Sequence, residues 1–479
     1  MNDLTSAVVL DLAPSPLRSL LERQRHAFNA DPMPTLAQRR DALLRLKNAL
    51  LAHRHELARA IDQDFGGRAA QETLFADVMP AVQGINHTLK HLRRWMRPSK
   101  RAVGINLKPG KAEVLYQPLG VVGIMVPWNY PVFLAVGPLT GALAAGNRAM
   151  IKLSELVPAT NDVMRRMLAG VFAEDEVAVV LGEREVSEEF ARLPFDHLLF
   201  TGSTAVGRHV MRAAADNLTP VTLELGGKCP AIIHESYPMA AAVEKICFGK
   251  TLNAGQTCVS PDYVLCPEGR EEDFVAAFRA RFTRMYPRLL GNPDYSSIVS
   301  DRHYQRLRHL LDDAERKGAK VITLDRPGED LRASRKLPVS LVLNSNDDML
   351  LRQEEIFGPI LPVVPYRDLD EALAFVAARP RPLALYYFDA DRARQDYVLS
   401  HSHSGGVSIN DTLLHLAVDD MPFGGVGASG MGHYHGWEGF QTFSKAKSVF
   451  RQSRFNLVGM AYPPYKPQIT RLLERWLLR

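Results

Sequence analysis

The chain has 479 residues, 46% of them hydrophobic and 23% charged, with a formal net charge of +5. That is ordinary globular composition with room for two or three domains, which excludes a disordered, fibrous or membrane-dominated chain. The positive charge is scattered and argues against a nucleic-acid-binding face; the four cysteines contain no C-x-x-C pair and are too few for a disulfide scaffold or a zinc knuckle.

The first residues, "MNDLTSAVVLDLAPSP", lack a basic start and carry Asp11 inside their apolar run, so they do not read as a signal peptide. A reducing, cytoplasmic setting is expected. Residues 15–98 read as helices, and Leu36–Phe65 repeats its apolar positions at intervals of three and four. The basic stretch His91–Arg101 reads as a solvated helix end. From about 103 to 118 the pattern turns extended. No charged residue lies between Glu113 and Arg148, but Pro127, Asn129, Pro131 and Pro138 interrupt that run. A buried strand, a polar-tipped turn and a buried helix explain it better than a membrane span.

Strands are expected near 121–126, 149–152, 177–181 and 196–200, with helices between them. That alternation predicts βαβ units and a parallel sheet covered on both faces. A second series begins near Val221 and runs to about 415. Its strands are expected at 262–266, 319–323, 340–343, 360–364 and 383–388, with helices such as Glu271–Met285 and Arg302–Lys317. The fold class is therefore α/β, with two domains. Beyond 420 the chain is Gly-rich, then aromatic, and builds no third core. The terminal "ITRLLERWLLR" puts Leu472, Leu473, Trp476 and Leu477 on one helical face. That face would pack on the protein or a partner subunit, or make peripheral contact with a membrane surface.

Six short stretches have residue types suited to chemistry, and all but one have a plainer alternative. "FTGSTAVGR" offers Gly202, Ser203 and Gly207 in a turn whose N–H groups can face an anion, or it is a simple strand-to-helix turn. "AMIKLSE" ends a strand with Lys152 and Glu155, which suits ribose hydroxyls or plain surface decoration. "VPWNYP" holds Asn129 in a turn, able to donate to an oxyanion or merely to bond within the turn. "TLELGGK" sets Glu224 among apolar neighbours, a general base or half of a salt bridge. In "EEIFGPILPV" an extended backbone would send Glu355 and Phe357 to one face. Then comes "LNAGQTCVSPD", with Cys258 at its centre: core filler, or a thiol held out to react.

The order of these stretches resembles the aldehyde dehydrogenase superfamily over nearly the whole length. The matching motifs are "PWN", "IKLSE", "FTGSTAVG", "LELGGK", "GQTC", "EEIFGP" and "PFGGVGASGMG". "NLTPVTLELGGK", "VSPDYVLC", "RPLALYYF" and "GMGHYHG" are similar to its class 3 branch, and the general likeness is to the bacterial members that oxidise coniferyl aldehyde. The resemblance implies two Rossmann-like parallel-sheet domains with a small bridging extension. The NAD(P)-binding domain would comprise 1–97 and 119–222, the catalytic domain 223–418, and the bridging or oligomerisation segments 98–118 and 419–479.

It further implies that Cys258 attacks the aldehyde carbonyl, that Asn129 and the Cys258 N–H hold the oxyanion, and that Glu224 activates the water that hydrolyses a thioester. Trp128, Lys152, Glu155, Gly202, Ser203, Gly207, Leu225, Glu355 and Phe357 would hold the cofactor. NAD is expected, with NADP possible, and a homodimer is expected. Coenzyme A in place of water is the alternative acyl acceptor, although relatives of that kind usually lack the Glu of "LELGGK". A non-catalytic relative is a third reading. Cys229, Cys247 and Cys266 read as structural. His401, His403, His415, His433 and His435 are not spaced as a zinc motif, so no metal is expected.

Overall fold

The computed structural model describes residues 15–331, 334–456 and 458–477. The expected helix is Leu36–Phe65, and its ends explain its bounds. Thr35 and Gln38 form a capping box, and Gly66 ends the helix at φ 66°, where a side chain would be strained. The apolar positions Leu43, Leu46, Leu50, Leu57, Ile61 and Phe65 are fully buried.

The strands follow in chain order. The short β1 (Ser99–Arg101) pairs antiparallel with β2 (Lys111–Pro118). Then come β3 (Val121–Met125), β4 (Arg148–Lys152), β5 (Val177–Val180), β6 (His197–Gly202) and β7 (Val221–Leu225). These five are parallel, in the order β7-β6-β3-β4-β5. The second sheet holds β8 (Pro230–Ile233), β9 (Tyr263–Pro267), β10 (Lys320–Thr323), β11 (Ser340–Leu343), β12 (Ile360–Tyr366), β13 (Ala384–Phe388) and β14 (Gly406–Ile409). Its order is β10-β11-β12-β9-β8-β13-β14, with only the edge strand β10 antiparallel. Finally β15 (Gly430–Met431) returns to pair with β7, and β16 (Ser444–Arg451) pairs with β2.

Two parallel sheets and a small third one match the expected class. The uncharged run becomes the fully buried β3, a turn, and the buried helix Phe133–Ala145. Strand β7 lies wholly in the first sheet and crosses the expected boundary at 222/223. Strands β8 and β14 were not foreseen. Each is four residues long, β8 opens on Pro230, and β14 follows a Ser/His/Gly stretch, so neither carries a local periodic signal. The terminal segment forms the helix Pro467–Leu477, but the side chains of Leu472, Leu473, Trp476 and Leu477 lie outside the described residues. So does the N-terminal stretch 1–14.

The order of the first sheet reverses at β3, with β4 and β5 on one side and β6 and β7 on the other. Ligand crevices in open α/β sheets form at the carboxyl ends of the strands beside such a reversal. Asn129, Lys152, Ser203 and Glu224 all lie at that end of the sheet.

Candidate active site

Cys258 follows the helix Met239–Thr251 through a sharp reversal. Asn253 and Ala254 are both left-handed, at φ 50° and 51°, and Gly255 continues at φ 74°. Such runs are rare for L-residues and must be held by their surroundings. A Cβ on Gly255 would come 2.5 Å from the Gly358 carbonyl, so only glycine fits. Gln256 staples the loop: its Nε2 donates to the carbonyls of Asn253 and Ser297, both at 3.0 Å, and its Oε1 accepts from the Val299 N–H at 3.0 Å. The Thr257 hydroxyl bonds that of Tyr130 at 2.7 Å.

Asn129 leaves β3 and is buried against this loop, its Nδ2 donating to the Gln256 carbonyl at 3.1 Å. Its amide therefore sits two residues from the thiol. Glu224, near the end of β7, is 3% exposed, and neither carboxyl oxygen has a hydrogen-bond partner among the described residues. Burial alone pushes its carboxyl well above the usual carboxylate range. This is the electrostatic signature of a group kept ready to take a proton. The Cys258 thiol is half-buried and pushed up to about 12, by burial first and then by the carboxyls of Glu355 and Glu224. Its own N–H and that of Val259 pull the other way. A cysteine, an amide donor and an unpartnered carboxyl thus converge on one loop.

The family model for the aldehyde dehydrogenase family matches residues 14–449. The chain belongs to the aldehyde dehydrogenase family. It is 58% identical to the probable coniferyl aldehyde dehydrogenase of Pseudomonas aeruginosa, over 97% of this chain and 96% of that one. It is 46% identical to the coniferyl aldehyde dehydrogenase of a Pseudomonas species, over 96% and 95%. The substrate-bound AldH of Staphylococcus aureus superposes with a TM-score of 0.91 at 37% identity, covering 97% of this chain and 100% of that one. Betaine aldehyde dehydrogenase of the same organism, in complex with NAD+, gives 0.82 at 26%, covering 92% and 88%.

In this aldehyde dehydrogenase the residues that would hold a nicotinamide dinucleotide line the carboxyl ends of the first sheet. Lys152 is buried at the end of β4, donating to the Leu153 carbonyl at 2.7 Å and lying 4.0 Å from the more exposed Glu155 carboxylate. The helix Thr204–Ala215 opens directly after β6, its first turn capped by the Ser203 hydroxyl, which spends that side chain on the helix and leaves backbone N–H groups toward an anion. Trp128 and Phe357 meet edge-on, ring centres 5.5 Å apart, at the rim.

Two local geometries bear on these expectations. Gly202 and Gly207 are not in the left-handed region, so they do not serve the turn by conformational freedom. They serve by size. A Cβ on Gly207 would come 2.6 Å from Leu225, and one on Gly202 would come 2.5 Å from the Phe200 ring. Leu225 is buried and acts as packing under that helix. Likewise the Glu355–Phe357 backbone is not extended. Phe357 is left-handed at φ 52°, which breaks the alternation. Phe357 joins Trp128, whereas the Glu355 carboxyl lies over Gly226, where a Cβ would be 2.0 Å away.

Two partners of the site escaped sequence reading. The Tyr434 hydroxyl is buried without a hydrogen-bond partner among the described residues, and its pKa is raised by burial and by the nearby Glu224 and Cys258. It reaches the site because β15, beside Glu224, leads into it. Lys228, the Lys of "GGK", bonds Asp262 and the carbonyls of Leu351 and Glu354. That tie holds the Glu355 segment against the nucleophile loop. Neither role has a local signal.

The position of Glu355 yields a testable consequence. Its carboxyl, pushed up to about 8 by burial and Asp262, lies close enough to repel a Cys258 thiolate. In cofactor-free protein, alkylation of Cys258 by iodoacetamide should keep rising by about tenfold per pH unit above pH 9, because the thiol is far from fully ionised there. Glu355→Gln should shift the curve to lower pH. A plateau near pH 7, or an unmoved curve, contradicts this electrostatic picture.

Proposed function

We propose that this enzyme oxidises aromatic aldehydes of the cinnamyl type, coniferyl aldehyde among them, to carboxylic acids. The convergence of Cys258, the Asn129 amide and the unpartnered Glu224 carboxyl carries the chemistry, and the names of the Pseudomonas relatives above support the substrate. The Cys258 thiol gives its proton up to solvent, the sulfur adds to the carbonyl carbon as the thiolate, and the Asn129 Nδ2–H and Cys258 N–H groups receive the developing oxyanion. Bound NAD(P)+ supplies the hydride acceptor. The acyl group is then held on Cys258 as a thioester, and Glu224 draws a proton from the water that cleaves it. Glu224 acts in this step as the carboxylate, and the proton it takes passes to solvent before the next cycle.

Glu155 beside Lys152 supports NAD+ over NADP+, because its carboxylate repels a 2′-phosphate. The division into an NAD(P)-binding unit, a catalytic unit and the β1-β2-β16 bridge follows the three sheets. We read β16, with its mostly exposed side chains, as a dimer edge; sedimentation at a monomer mass would contradict that. No helix among the described residues is long and apolar enough to cross a membrane.

Loss of one preorganised oxyanion donor costs about 10²–10³ in kcat in comparable acyl-transfer sites. Asn129→Ala should fall by that order; near-wild-type turnover contradicts the donor role. The substrate reading is tested by NADH formation across aliphatic, benzylic and cinnamyl aldehydes. The expected optimum in kcat/KM lies with the cinnamyl set, and a flat profile or no activity on any aromatic aldehyde contradicts it.

A further inference from the structure

Beneath the nucleophile loop lies a corner with more buried charge than the chemistry above uses. Arg68, Glu72 and Asp77 are 2%, 6% and 0% exposed. On a regular α-helix Glu72 and Asp77, five residues apart, would diverge by about 140°. Here a π turn, Leu74–Val78, widens the helix between them, and both carboxyls face the Arg68 guanidinium, whose charge opposes the upward push of burial on each.

The Arg68 guanidinium is sandwiched between Phe65 and Tyr130, 5.0 and 4.8 Å from their ring centres. Its Nη1 donates to the main-chain carbonyl of Asn129 at 2.6 Å. Asn253 Nδ2 donates to the same carbonyl at 3.1 Å. Glu72 Oε2 accepts from the Asn253 N–H at 3.1 Å and from the Ser296 hydroxyl at 2.8 Å. Asp77 accepts from the Phe133 N–H, at the start of the helix after Asn129.

Stability does not explain the arrangement. Nε and Nη2 of Arg68 have no hydrogen-bond partner among the described residues, and the nearest approach to Asp77 is 3.9 Å. Buried charge so loosely paired is a poor substitute for apolar packing of the same volume. What the charges do hold is specific: the main chain of Asn129, and the first N–H of the left-handed turn Asn253–Gly255. Two successive left-handed non-glycine residues need such an external anchor.

We propose that Arg68 and Glu72 are positioning residues: Arg68 fixes the main chain that carries the Asn129 amide, and Glu72 locks the left-handed turn that presents Cys258. The proposal rests on the roles given to Asn129 and Cys258 above. Misplacement by about 1 Å in such sites costs about 10²-fold in rate, so the expected effect is large although neither residue touches substrate.

The test is a double-mutant cycle on the full chain, with kcat expressed per titratable Cys258 thiol so that misfolded protein is not counted. Arg68→Lys keeps the buried charge and loses the planar fork, so it reads the role even if Arg68→Met fails to fold. Arg68→Lys should lower kcat by about tenfold or more, with KM for aldehyde changed less than about twofold. In the Arg68→Lys, Asn129→Ala double variant the losses should not multiply, and turnover should sit at the level of Asn129→Ala alone. Wild-type kcat in Arg68→Lys, or multiplying losses, overturns the role of Arg68. A fast Asn129→Ala would instead remove the oxyanion reading on which that role rests. For Glu72, the rate of Cys258 alkylation by iodoacetamide should change by about tenfold in Glu72→Met and recover in Glu72→Gln, which keeps an acceptor for the Asn253 N–H. An unchanged rate in Glu72→Met overturns that half.

Discussion

Cys258→Ser should retain the fold and lose aldehyde oxidation by at least about 10³-fold, read as NADH formation per folded protein. An aldehyde surrenders hydride only after a nucleophile has added. A thiol does so far more readily than an alcohol, and its acyl derivative is cleaved by water far more readily than an ester. Among the described residues no imidazole is hydrogen-bonded to Cys258 to activate a serine hydroxyl, and the surroundings oppose negative charge, pushing even the thiol up to about 12. The fold should survive because the side chain is half-buried and its nearest structural bond, from the Cys229 thiol at 3.4 Å, goes to the Cys258 carbonyl and not to its sulfur. Residual turnover within about tenfold of wild type would move the chemistry to another group.

Glu224→Gln should separate the two halves of the reaction. Steady-state turnover should fall by about 10²–10⁴, the usual contribution of a general base, while a first equivalent of NADH per site still forms in a burst. The same substitution should alter stability against pH with a definite sign. The folded protein raises the Glu224 pKa, so above the unfolded value the folded state binds more protons than the unfolded one, and stability falls as pH rises through that window. Removing the carboxyl should flatten that slope and raise Tm above pH 7. A variant with neither burst nor flattened slope would show that Glu224 is neither the base nor a proton-binding group of the fold.

Much of this was legible in the sequence, because each motif sits where a strand ends and strands announce themselves locally. The uncharged run before Arg148 and the alternating series after it located nearly every strand of both parallel sheets. Asn129, Lys152, Glu155 and Glu224 lie at or just past such strand ends, whereas Cys258, on a loop after a helix, was singled out through the family resemblance. What escaped depends on contacts between distant segments. Phe357 turns left-handed where an alternating pattern implied an extended chain. Gly207 is small because Leu225 lies across from it. Tyr434 approaches Glu224 only through the pairing of β15 with β7. Arg68 and Glu72 precede Cys258 by nearly two hundred residues, and no periodicity ties them to it. The thiol itself gave the largest surprise: its surroundings raise its pKa where the chemistry wants a thiolate. Burial contributes most of that rise, and the carboxyls of Glu355 and Glu224 add to it.

The most direct measurement is mass spectrometry of acid-quenched Glu224→Gln mixed with NAD+ and a cinnamyl aldehyde. The Cys258 peptide should carry the acyl group in near-stoichiometric amount, while Cys229, Cys247 and Cys266 remain free. An unmodified Cys258 peptide in protein that has released its burst of NADH, or an acyl group on any other cysteine, would contradict the thioester chemistry assigned to this site.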